Sequence, residues 1–265
     1  LDAGHLAENL LLALRSTGWS FDLSYDFHDQ RMNRLLGLDP HREVCLAQAR
    51  IPEEGQRAGF ENTTVPPEPP ESLRAASRSA DRETDYPLIR NMHDSSALSD
   101  RPPENRDFPP SSACISADIH WRVFAPPRDW PEISGYPQSV FRRRSKRNFT
   151  PSAVRAEQAA ALLEGLCSFR RKAREFSVPP SPLSVGFLSS RLEGFPPGFY
   201  LLDRKALTYG LAAEGDLLRE MAGVCLDQIW LANAAAHFVF LSSPADLDSL
   251  FGPRGYRYAM LEAGR

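Results

Sequence analysis

Residues 2–17 set Leu6, Leu10, Ala13 and Leu14 at helical spacing, with Leu11 and Leu12 broadening the apolar face, and so predict an amphipathic helix. Gly18 follows as a C-terminal cap. A loop carrying Trp19, Phe21 and Tyr25 leads to a second predicted helix, Asp29–Leu36, which Gly37 stops ahead of a turn at Asp39-Pro40. Glu43–Ala49 fits a short strand. From Ile51 to about Thr84 the pattern lapses, with charged residues and prolines dominant and aliphatics scarce. Val65-Pro66-Pro67-Glu68-Pro69-Pro70 favours extended polyproline geometry over a packed core, and the stretch reads as a linker.

Order returns with a helix over Tyr86–Leu98 that begins at or after Pro87, and proline punctuation then continues through Pro131. Gln138–Arg144 reads as helical. Ser152 is placed to cap a helix over Val154–Cys167, whose apolar stripe is Ala159, Leu162, Leu163 and Leu166. Phe187–Ser190, Gly198–Leu202 and Ala206–Leu211 read as short strands joined by Gly and Pro turns. Asp216–Ala222 and Leu226–Ala235 predict consecutive helices. His237–Leu241 predicts a buried strand, Asp246–Phe251 a short helix, and Tyr256 onward a last helix. Strands and helices mix without regular βαβ alternation, which places the chain in the α+β class.

The two ends of the chain match. Leu1-Asp2-Ala3-Gly4-His5 opens it and Leu261-Glu262-Ala263-Gly264-Arg265 closes it. The expectation is a window on a tandem repeat, holding the back of one copy, a linker and the front of the next. A net charge of -3 over 265 residues supplies no electrostatic reason for a nucleic-acid partner. No apolar run has the length of a membrane span. The four cysteines lack C-x-x-C spacing and the six histidines lack H-x-x-x-H pairing, so no metal site is expected and the thiols read as reduced, in a cytoplasmic protein.

The sharpest chemical feature is Arg142-Arg143-Arg144-Ser145-Lys146-Arg147-Asn148-Phe149. Guanidinium groups beside a hydroxyl suit a phosphate monoester, because Arg offers paired donors to phosphate oxygens and Ser a directional one. Residue types alone favour a solvated charged turn over that reading. No aromatic interleaving supports a base-stacking surface. Among the histidines, His237 lies in an apolar strand and reads as a core residue, while His5 and His93 stay open to either role. Trp19 and Trp230 read as core aromatics.

Arg143–Phe149 follows the pattern R-R-S-x-R-x-F, and Ala156–Leu166 follows A-x-Q-A-A-A-L-L-E-G-L; together they resemble the opening of nitroreductase-fold flavoproteins. Leu192–Tyr200 (L-E-G-F-P-P-G-F-Y), Asp227–Ala232 (D-Q-I-W-L-A) and Arg254–Gly264 (R-G-Y-R-Y-A-M-L-E-A-G) are similar to stretches of the SagB-type dehydrogenases, the azoline-oxidising branch of that superfamily. Gly4–Leu10 and Leu35–Asp39 are similar to stretches that lie further toward the C-terminus in that family, so the resemblance runs in permuted order, and Met92–Ser96 is similar to its H-x-x-[ST] segment. The resemblance implies an α+β nitroreductase-like fold with a mixed or antiparallel sheet flanked by helices. It implies residues 1–50 as the C-terminal part of one such domain, 51–85 as a Pro-rich linker and 86–265 as the N-terminal part of a second. It further implies FMN as cofactor, with Arg143, Ser145 and Arg147 at its phosphate and ribityl chain and Arg144 beside them. A small-molecule or peptide substrate and a dimer, or a pseudo-dimer within one chain, complete what it implies.

The sequence departs from the family pattern at three places. Phe176–Leu183 keeps only Pro182-Leu183 of a flavin-lining segment that is otherwise glycine-containing. Tyr25 stands in a flavin-edge loop where the family has glycine, and Asp26 after it would place negative charge near the ring. Leu250-Phe251 stands where azoline-oxidising members carry Lys-Tyr, and neither residue can act as a general base. These departures keep two other readings in play: a non-catalytic module for dimerisation or peptide binding, and an NAD(P)H-dependent nitro or quinone reductase.

Overall fold

The computed structural model describes residues 1–51, 84–99, 119–124, 135–168 and 183–265. The linker expected at 51–85, the flavin-lining segment before Leu183 and the proline-punctuated stretch through Pro131 lie largely outside the described residues. Two compact units emerge. One gathers residues 1–51, 84–99 and 243–265, the other residues 119–124, 135–168 and 183–242.

The first, helical unit brings both chain ends together. Its elements are α1 (Asp2–Ser16), β1 (Asp22–Ser24), α2 (Asp29–Leu36), β2 (Gln48–Arg50) and α3 (Pro87–Ser95). The second unit supplies β3 (Trp121–Val123), α4 (Tyr136–Arg142), α5 (Ala156–Ser168), β4 (Ser184–Ser189), β5 (Gly198–Asp203), β6 (Thr208–Glu214), α6 (Leu218–Val224) and β7 (Ala236–Leu241). The chain then returns to the helical unit with α7 (Pro244–Phe251) and α8 (Gly255–Gly264).

α1 and α2 form where the apolar spacing puts them, and Gly37 closes α2 in the left-handed conformation at φ 70°. The buried face of α1 differs from the expected one. Gly4, Glu8, Leu11 and Leu14 turn inward, while Leu6 and Leu10 are exposed. The cause is the close crossing of α1 with α8. A Cβ on Gly4 would stand 2.2 Å from the Leu261 carbonyl oxygen, and one on Gly264 2.1 Å from the Leu1 carbonyl oxygen. The two glycines are therefore required by backbone contact, and the near-equality of the distances makes the crossing locally two-fold. The strand read at Glu43–Ala49 is confined to β2, which pairs antiparallel with β1.

The second, sheet unit is built on a wholly antiparallel sheet in the order β3-β6-β5-β4-β7. Phe187 and Tyr200 stack at 5.0 Å between ring centroids, and Phe195 meets both edge-on. α5 lays Ala159, Leu163 and Cys167 on this core, whereas Leu162 of the expected stripe is 51 % exposed. Ser152 does not cap α5, because the helix begins four residues later. Its first amide, Ala156 N, instead donates to Glu193 Oε2 at 3.1 Å. The helix read over Leu226–Ala235 shrinks to a 3₁₀ turn at Ile229–Asn233, preceded by Leu226 and Asp227 at φ 60° and 55°. β7 is an edge strand, not a buried one, and its Phe238 and Phe240 are 38 % and 43 % exposed.

Candidate functional site

The cationic run begins in the last turn of α4 and continues along an irregular segment to α5. Pro137 in the first turn fixes the start of α4. Beyond the run, Phe149 packs against Trp230 at 5.5 Å between centroids and so ties the segment to the sheet unit. Arg142, Arg143, Arg144, Ser145, Lys146 and Arg147 are all exposed.

Arg143 Nη1 reaches Ser145 Oγ at 3.4 Å, which brings two of the expected cofactor-binding residues together. Arg144 folds back instead, its Nη1 donating to Phe141 O at 2.7 Å and Arg143 O at 2.8 Å. It thereby satisfies carbonyls at the C-terminal end of α4. Arg147 stands two residues beyond Ser145, exposed. Among the described residues, none of these five cations forms an ion pair. The donor set therefore fits a phosphate monoester: several guanidinium groups, one hydroxyl and, among the described residues, no carboxylate paired with them.

Of the other residues singled out by the sequence, Trp19 is not a core aromatic but 58 % exposed, while most of the rest have structural partners. His237 Nε2 lies 2.9 Å from Leu231 O, a carbonyl that can only accept, so the ring proton is on Nε2. Arg191 Nη2 donates to Ala232 O and Ala234 O, pinning the 3₁₀ segment that carries Trp230. His5 is exposed, and its carbonyl accepts from Asn9 Nδ2. Phe251 is buried with its ring against Tyr258 at 5.1 Å, so it serves the core of the helical unit. Tyr25 is buried too, with its hydroxyl 3.2 Å from Glu262 Oε1.

The helical unit also holds a cluster that sequence reading missed. Asp29 bridges Arg254 at 2.5 Å and Arg257 at 2.8 Å, and all three side chains are buried. Arg254 also donates to Tyr25 O and Ser96 O, and its guanidinium lies 5.2 Å from the centre of the Phe27 ring. Arg257 Nη2 approaches His93 Nδ1 at 2.8 Å. The Tyr258 hydroxyl donates to the Asp26 carboxylate. Burial first, and Asp26 next, push the Tyr258 phenol far above its ordinary value; burial and Glu262 do the same to Tyr25. Neither phenol is poised to give up a proton near neutrality. The sequence hint was Arg254 and Arg257 at i, i+3, but their acidic partner lies 225 residues away from Arg254.

Among the described residues, no group of three or more His, Cys, Asp or Glu side chains could hold a metal ion, and no helix is long and apolar enough to cross a membrane. No family model matches the chain, and no curated protein matches it. Among solved structures it is similar to a protein from Anabaena variabilis assigned as a nitroreductase, with a TM-score of 0.71 at 20% sequence identity. The match covers 99% of this chain and 54% of that one, so this chain spans about half the length of the protein it matches. The fold is thus nitroreductase-like and α+β, an antiparallel sheet with helices.

Proposed function

We propose that this chain is part of an FMN-binding oxidoreductase related to the SagB-type dehydrogenases, and that the segment Arg142–Arg147 takes the cofactor's phosphate. One observation carries the reading: a row of exposed cations without an acidic partner among the described residues, in a nitroreductase-like fold. Crowded like charges repel, and a dianionic phosphate relieves that repulsion while accepting their hydrogen bonds. In this reading Arg143 and Arg147 give paired donors and Ser145 gives a directional one. Arg144, tied to its own backbone, orders the loop and adds positive potential. FMN, when bound, supplies a ring that accepts or returns a hydride. The substrate is a small molecule or a peptide, and the SagB resemblance favours an azoline ring.

The locally two-fold crossing of α1 and α8, formed by the two matching pentapeptides, supports a tandem arrangement in which two equivalent units pair as a dimer or within one chain. A specific observation favours a second reading. Leu250 and the buried Phe251 supply no base for proton abstraction, and the buried Tyr25 and Tyr258 are held protonated. That suits a non-catalytic module for dimerisation or peptide binding.

The deciding experiment is the visible spectrum of the purified protein, with FMN quantified after denaturation. Flavin bands that vanish in Arg143→Ala/Arg147→Ala are the expected result. A colourless protein that takes up no added FMN would overturn the reading and leave the module. Rapid bleaching of bound flavin by NADPH would instead favour a nicotinamide-dependent nitro or quinone reductase.

A further inference from the structure

α3 is attached to the helical unit mainly through polar contacts at its C-terminal end. None of its residues is buried, and Leu88 and Ile89 are 83 % and 68 % exposed. The last carbonyls of a helix lack intrahelical donors, and here two arginines join the Ser96 and Ala97 amides and the Ser96 hydroxyl in supplying them. Arg257 Nη2 donates to His93 O at 3.0 Å, and Arg254 Nη1 donates to Ser96 O at 3.0 Å. Asp29 orients both guanidinium groups and exchanges hydrogen bonds with the backbone of Leu98.

One contact in this set depends on a proton. A guanidinium can only donate, so His93 Nδ1, 2.8 Å from Arg257 Nη2, must be an unprotonated acceptor. The ring proton of the neutral imidazole is then on Nε2. A proton added to Nδ1 would point a second donor, on a cation, at the Arg257 cation.

We propose that His93 makes the attachment of α3 pH-sensitive, the neutral imidazole latching the helix to Arg257 and the imidazolium releasing it. Among the described residues, the charged groups that face His93 are Arg257 of α8, Arg254 in the turn before it, Asp29 of α2 and Asp94 of α3 itself. The arginines oppose the imidazolium and the aspartates favour it. Burial is the largest influence, and the balance holds His93 below its ordinary value of 6.5. The folded chain therefore binds this proton less readily than the unfolded chain. The latch is fully closed above pH 6.5, and its contribution is lost as the pH falls through the interval below that value. Because Asp29 keeps both arginines paired, the opening is local to α3.

The test is a nitrogen-15 NMR titration of the full chain from pH 8 to pH 5, reading the imidazole nitrogens of His93 together with hydrogen-exchange protection of amides 90–98, corrected for intrinsic rates. The expected result is an Nε2-protonated ring at neutral pH that titrates below a free histidine, with protection falling by up to about tenfold for each pH unit from the ordinary value of 6.5 down to the folded value and levelling off below it. His93→Asn, whose Oδ1 can accept from Arg257 but cannot titrate, should keep its protection to pH 5. Constant wild-type protection through the ring's titration would overturn the proposal. So would a His93→Asn chain that loses protection at the same pH as wild type, which would assign the acid response to carboxylates. Should the variant fail to fold, the wild-type titration decides alone.

Discussion

At the centre of the sheet unit stand Phe187, Tyr200 and Phe195, with Val185, Leu163 and Cys167 packed around them. The centre of the helical unit is different. Leu11, Leu23, Phe27 and Leu261 are buried there, but so are Asp29, Arg254, Arg257 and Glu8. Of the buried polar and charged residues described, all but Ser189 lie in the helical unit. The sheet provides its own backbone hydrogen bonds and asks its side chains only to fill space. The helical unit joins segments from both ends of the chain, and buried charged side chains connect them alongside the glycine crossing of α1 and α8. Apolar packing is tolerant of shape and indifferent to pH, whereas a buried ion cluster is intolerant of losing one member.

The sharpest way to break this contrast is to remove the bridging carboxylate. Asp29→Ala leaves two buried guanidinium groups without their partner, and a loss of about 3–5 kcal/mol is expected in denaturant unfolding. Leu163→Ala in the sheet unit should cost about 2–5 kcal/mol through its cavity, with the loss unchanged between pH 8 and pH 5. If Asp29→Ala were nearly neutral, the ionic centre would be decoration and the contrast would fail.

The helix crossing tests the contrast on a backbone contact. Gly4→Ala and Gly264→Ala each force α1 and α8 apart, with an expected cost of about 1–3 kcal/mol. Because both changes open the same crossing, the double variant should lose less than the sum. Full additivity in a double-mutant cycle would argue against a shared two-fold contact. The smallest effect separates the two capping readings of α5. Glu193→Ala should cost about 1 kcal/mol, whereas Ser152→Ala should stay within about 0.5 kcal/mol of the parent by thermal unfolding.

Much of the local structure was legible in the residues. Asp29–Leu36 is a helix closed by Gly37, and the turn with Gly194, Pro196 and Pro197 separates β4 from β5 close to where the sequence put it, whereas the turn from β5 to β6, Arg204–Leu207, holds neither glycine nor proline. The cationic run was legible as well, since a string of arginines needs no partner to be seen. Its geometry was not: the pairing of Arg143 with Ser145 and the turning back of Arg144 depend on where α4 ends. The buried cluster was illegible, because nothing near Asp29 in the chain points to Arg254 or Arg257. Leu226–Ala235 misled for a related reason. Its apolar residues suit a helix, but Arg191 takes the carbonyls of Ala232 and Ala234 and holds the segment open.

Local spacing, caps and turn residues were enough to specify most helices and strands, the α+β class, and the chemistry of the Arg142–Arg147 segment. These depend on neighbours within a few turns of chain. Folding settled which face of α1 is buried, which side chain caps α5, that β7 lies at an edge, and that Asp29 gathers Arg254, Arg257 and through them His93. Each of those outcomes joins residues far apart in the chain. Periodicity shows that a face is apolar or that a charge is present; only the folded chain supplies the partner.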